Sequence, residues 1–191
     1  VKPVSSGPPQ VSSAVVKKEK DAETAKMKPA KSIWETSTPV MVQGGSLRTW
    51  SESTGVVERV QVLMKTEGRP MNANIELWHG PDNTPLKMTI YCEDGGLRPF
   101  SAVIETPGGG ASNTISIRNT GQIEFPLAAC VEPDEENAVL GNGHGAVNQR
   151  LSGMTADRKI IQGGAIVTYP FDHSVGSVQV LLKTGGRPLH A

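Results

Sequence analysis

The stretch Val60-Gln61-Val62-Leu63-Met64-Lys65-Thr66-Glu67-Gly68-Arg69-Pro70-Met71-Asn72-Ala73 decides the fold. Val60, Val62 and Met64 alternate with Gln61, Leu63 and Lys65, the period-two pattern of a strand with one face in a core. Gly68-Arg69-Pro70 then punctuates the run with turn chemistry. The same stretch returns as Val178-Gln179-Val180-Leu181-Leu182-Lys183-Thr184-Gly185-Gly186-Arg187-Pro188-Leu189-His190-Ala191, with Val178, Val180 and Leu182 in the inward places. Gln43-Gly44-Gly45 likewise returns as Gln162-Gly163-Gly164, and Tyr169 stands at the place of Trp50. A period of this length marks a repeated structural unit. Here the second unit begins near Gln162 and offers two strands, 165–169 and 177–183.

Outward from this stretch, short alternating runs are separated by turn signals: Gly80-Pro81-Asp82-Asn83, Glu93-Asp94-Gly95-Gly96, Pro107-Gly108-Gly109-Gly110 and Asn119-Thr120-Gly121. The spacing predicts strands at 46–52, 57–66, 73–79, 86–92, 100–106, 113–119 and 123–131. Seven strands at such intervals predict an all-β fold, an antiparallel β-sandwich or jelly-roll-like domain. A parallel sheet would need crossover helices, for which there is no room. Residues 1–41 carry seven lysines against four acids with no apolar period, and read as a flexible arm. The expected organisation is therefore an arm at 1–41, a complete sandwich at 42–132, a linker at 133–161 and a partial second repeat at 162–191.

Composition narrows the function. Lys plus Arg and Asp plus Glu are both 19, so net-charge attraction to nucleic acid or an anionic membrane is disfavoured. No run approaches the ~18 apolar residues of a membrane-spanning helix. The four histidines, His79, His144, His173 and His190, lack metal-ligand spacing, and no phosphate loop or nucleophile elbow is present. Cys92 and Cys130 read as small buried hydrophobes in strands rather than reactive thiols. Glu93-Asp94 and Asp82-Asn83 are explained by turn chemistry without a cation. The sequence reads as non-enzymatic, with no catalytic, cofactor-binding or metal-binding residues and no cofactor.

Strand faces supply the candidate site. Opposite the inward Val60, Val62 and Met64 stands Leu63; opposite Ile75 and Leu77 stands Trp78; opposite Met88 and Ile90 stands Tyr91; opposite Ala102 and Ile104 stands Val103. These are candidates for a second apolar surface, the mark of a protein partner. Leu181 is the counterpart of Leu63 in the second unit. Arg69 and Arg187 sit at the same place in the two Lys-Thr-x-Gly-Arg-Pro loops, where turn geometry accounts for the Gly and Pro but not for the Arg.

The blocks at 43–50, 60–70, 76–85, 97–107 and 117–121 resemble a repeat family of algal plastid proteins, the diatom pyrenoid shell proteins. The resemblance covers about 42–132 and 162–191. It implies tandem β domains, without catalytic residues, that self-assemble edge to edge into a protein sheet around a Rubisco-rich compartment. The expected partners are other protein chains, of the same or homologous repeats, in the chloroplast stroma, pyrenoid or a thylakoid-associated assembly; no nucleic acid and no membrane span are expected. Two further readings remain: an architectural or linker subunit of an algal photosynthetic antenna complex, and a ligand-binding sandwich that grips carbohydrate through Trp50 or Trp78 as a platform.

Overall fold

The structure, a computed structural model, describes residues 34, 37–52, 57–107, 111–133, 159–176 and 178–191. Among the described residues nine strands form: β1 (Val40–Val42), β2 (Leu47–Glu52), β3 (Arg59–Lys65), β4 (Met71–His79), β5 (Asn83–Cys92), β6 (Phe100–Glu105), β7 (Asn113–Asn119), β8 (Leu127–Pro133) and β9 (Leu189–His190). They make a four-stranded sheet, β1-β8-β3-β6, and a five-stranded sheet, β2-β7-β4-β5-β9. All neighbours are antiparallel except β5 and β9. The all-β sandwich expected from the turn spacing is what the chain forms.

Inward side chains follow the period of two. Val60, Val62 and Met64 meet Ile75, Leu77, Ile115 and Ile117 of the opposite sheet in one buried cluster. Burying each such aliphatic side chain contributes ~1.5–3 kcal/mol, which is what holds the two sheets face to face. Asn119 ties the layers at one end. Its Nδ2 donates to the carbonyls of Val42 (3.0 Å) and Phe125 (2.8 Å), and its Oδ1 accepts from Gly121 N–H (2.9 Å). Nearby, a Cβ on Gly44 would stand 1.7 Å from the Gln122 carbonyl oxygen, so only glycine fits there.

The pairing scheme has a simple order. β1 pairs with β8, β2 with β7, β3 with β6 and β8, and β4 with β5 and β7. The first four strands therefore pair only with the next four. Consecutive strands β2 and β3 lie in opposite sheets and share no ladder.

This order corrects the expectation for 162–191. Among the described residues, 165–169 and 178–183 form no strand; their counterparts β2 and β3 lie in different sheets and do not pair with each other, so the segment has no ladder of its own to make. Among the described residues, no sheet pairing involves 159–188. Other boundaries shift as well. The sandwich begins at Val40, inside the expected arm, because three residues of β1 are too few to show a period. The strand expected at 123–131 moves to Leu127–Pro133, since Ile123 and Glu124 belong to a turn. Residues 1–33, 35 and 36 of the arm, most of the linker (134–158, with His144) and Ser177 of the second expected strand lie outside the described residues.

Candidate interaction surfaces

Leu63 and Val103 are on the outer face of the four-stranded sheet, whereas Trp78 and Tyr91 are on the outer face of the five-stranded one. The four therefore do not form one continuous surface: side chains pointing away from a sandwich core leave on two opposite sides.

On the four-stranded side, Leu63 is not free for a partner. It packs with Cys130 beneath the ring of Trp34. Lys65 Nζ lies 4.4 Å from the centre of that ring, a cation–π contact that closes the edge of the cluster. Burial pushes the Cys130 thiol up, Glu132 adds to the shift, and Lys65 opposes it. The thiol stays protonated and inert. Sequence reasoning missed Trp34 because it stands in the lysine-rich segment; its signal was a lone large aromatic next to the first strand.

The five-stranded side is polar. Trp78 Nε1 donates to Glu76 Oε2 at 3.0 Å, and Lys87 Nζ bonds Glu76 Oε1 at 2.8 Å. Lys87 first, then Trp78, holds the Glu76 carboxyl below its ordinary range. Alongside run hydroxyl and amide rungs, Ser51 to Thr114 and Thr89 to Asn74. Tyr91 stands exposed at the end of β5. This face offers aromatic and polar contacts at fixed positions on rigid strands.

The two arginine loops differ. The Arg69 guanidinium lies 5.3 Å from the Phe125 ring and donates to the Glu124 carbonyl at 3.1 Å, so it buttresses its own domain. Arg187 is exposed. Both loops keep the same local bond, Thr66 Oγ1 to the Arg69 carbonyl and Thr184 Oγ1 to the Arg187 carbonyl, each at 2.5 Å. Both carry a left-handed glycine, Gly68 (φ 68°) and Gly186 (φ 78°).

The most unusual surface is 159–183. Val178 is 48% exposed, Val180 71% and Leu182 42%, whereas the matching Val60, Val62 and Met64 are 3%, 0% and 0%. Leu181, Ile166, Tyr169 and Phe171 are exposed too. The matching turn still forms: Ala165 N–H bonds the Gln162 carbonyl at 2.9 Å as Ser46 N–H bonds that of Gln43 at 3.0 Å.

Small-molecule sites are less developed. Trp50, Glu52, Val60, Asn113 and Val131 line a cleft of about 110 Å³, below the ~300–1,000 Å³ of ligand pockets. Trp50 is half-buried, packed on one side against the core. Trp78, Pro81, Asp82 and Asn83 edge an open hollow of about 330 Å³ at the β4–β5 turn. Among the described residues no group of three or more His, Cys, Asp or Glu is placed to hold a metal ion, and no helix is long and apolar enough to cross a membrane. His79 instead bonds Asn113 at 2.9 Å, and His173 contacts Asp172 at the surface.

A search of curated proteins gave no match. The family model for the diatom pyrenoid shell protein matches residues 34–191, from Trp34 over the Leu63 cluster through the whole sandwich and the exposed segment, and the chain belongs to that family.

Proposed function

We propose that the chain is a non-enzymatic structural subunit of a pyrenoid shell in an algal plastid, joined to other protein chains in a sheet around the Rubisco-rich compartment. Family membership supports the shell role. The observation that carries the assembly is the exposed apolar segment 159–183, whose side-chain types the same chain buries at 60–64. Apolar surface of this extent on a water-exposed segment is a partner surface. Leu181 belongs to it and the exposed Arg187 follows it in the chain; Trp78 and Tyr91 offer a second contact on the five-stranded face. Head-to-tail contacts through two different surfaces do not close on themselves, so they extend into sheets or filaments.

The test is a concentration series of the purified chain, followed by light scattering and negative-stain electron microscopy, beside a chain stopped at Lys159. Mass that rises with concentration and ordered sheets from the full chain alone are expected. A full chain that stays monomeric at every concentration overturns the assembly reading.

A further inference from the structure

The end of β4 is irregular, and the irregularity makes room beside an aromatic ring. Trp78 pairs with Thr114 of β7, but the β4–β5 register slips between Leu77 and His79, which leaves Trp78 without a partner on β5. A slip of this kind interrupts the ladder and re-aims a side chain. Gly80 then turns the chain at φ 65°, a left-handed conformation suited to glycine. Its N–H donates to the Ser112 carbonyl at 3.1 Å, which fixes the turn to its neighbour. The result is the open hollow of about 330 Å³ edged by Trp78, Pro81, Asp82, Asn83 and Thr84.

The ring is held in place before any ligand arrives. Trp78 Nε1 donates to Glu76 Oε2 at 3.0 Å, and Lys87 Nζ bonds the other carboxylate oxygen at 2.8 Å. With its one donor spent, the indole offers the hollow only apolar ring surface. Asp82, Asn83 and Thr84 are the reverse. Among the described residues their side chains have no hydrogen-bond partner. Between them they present a carboxylate that accepts, and an amide and a hydroxyl that both donate and accept.

This lining selects a ligand class. It holds Asp82 and no Lys or Arg, so it repels phosphates and carboxylates. A lipid chain would strand three polar side chains. Organic cations are recognised by several rings caged around the charge, and Trp78 is the single aromatic here. A neutral molecule with one apolar face and a rim of hydroxyls fits: a pyranose ring. Its C–H face covers the indole while its hydroxyls donate to Asp82 and exchange hydrogen bonds with Asn83 and Thr84. Because the hollow is open at the surface, that ring can belong to a sugar chain that continues past it.

We propose that the β4–β5 turn is a binding site for a neutral polysaccharide, with Trp78 as the stacking platform and Asp82, Asn83 and Thr84 as the hydroxyl partners. The site gives the chain a non-protein ligand, which the shell reading neither requires nor supplies.

The experiment is equilibrium dialysis of the full chain against maltohexaose, laminarihexaose and cellohexaose, with hexagalacturonate as the charged control. It reads binding whether or not the chain associates. At least one neutral hexasaccharide should bind with a Kd of about 1 mM or tighter, and hexagalacturonate about 10-fold more weakly or worse. Trp78→Ala should weaken the neutral sugar by about 10-fold or more. Asp82→Ala, in an exposed turn, should weaken it by about 3-fold or more and narrow its preference over hexagalacturonate. Trp34→Ala should bind as the parent does, and the circular dichroism of every variant should match the parent. No binding of any neutral hexasaccharide, hexagalacturonate bound as well as they are, or unchanged binding by Trp78→Ala or Asp82→Ala would overturn the proposal. The concentration series above can fail while sugar binding holds, and the reverse, so the two readings are separable.

Discussion

Residues 60–65 and 178–183 are nearly the same strand in sequence and opposite in surroundings. Val62 is fully buried between two sheets, and Val180 is mostly in water. The turns on either side match in bond and dihedral angle. Local chemistry therefore fixes the turns in both places, while the strand becomes a ladder only where β6 and β8 lie beside it. Strand formation here is a property of the pair and not of the segment.

The widest separation between the two regions should come from a buried charge. Val62→Asp places an unpaired carboxylate in the core at a cost of several kcal/mol, comparable with a domain's whole stability, and should unfold the sandwich. Val180→Asp should change the denaturant midpoint by no more than about 0.5 kcal/mol equivalent. Similar losses for both would break the comparison. Next comes the glycine pair. Gly44→Ala forces the 122–123 backbone to move and should cost ~1–3 kcal/mol, whereas Gly163→Ala should leave the melting temperature unchanged.

A smaller effect concerns the cover on the outer face. Trp34→Ala should uncover Cys130 and raise its labelling rate by a thiol reagent, while Cys92 labels as before and the fold persists. Equal Cys130 rates would mean that Trp34 does not shield it. The smallest effect is electrostatic. Lys87→Met should cost ~0.2–1 kcal/mol at neutral pH. Because the folded carboxyl of Glu76 is held low, that contribution is full above its unfolded value and lost as pH falls through the folded one. Urea midpoints of the two proteins should therefore converge on acidification; a gap that widens would reverse the sign.

Much of the fold was legible because alternation survives in every long strand: Ile75 and Leu77 in β4, Ile115 and Ile117 in β7. β1 was not legible, since Val40-Met41-Val42 is too short to show a period. Strand order was hidden too. Sequence neighbours such as β2 and β3 suggest a hairpin, and only the three-dimensional pairing places them in opposite sheets. The candidate surface was half legible for the same reason. Alternation assigned Leu63, Trp78, Tyr91 and Val103 to outward faces, but not to which of two faces, nor did it place Trp34 over Leu63. The exposure of 178–182 was not legible at all, because the residues there are those of a core strand.

Amide exchange of the chain as it stands, measured on a dilute monomer, compares the twin segments in one molecule. The account predicts strong protection at 60–65 and near-random-coil exchange at 178–183, with Thr89 protected by its bond to Ala191. Equal, strong protection of both strands would contradict it, since 178–183 would then already have the partner that the structure leaves open.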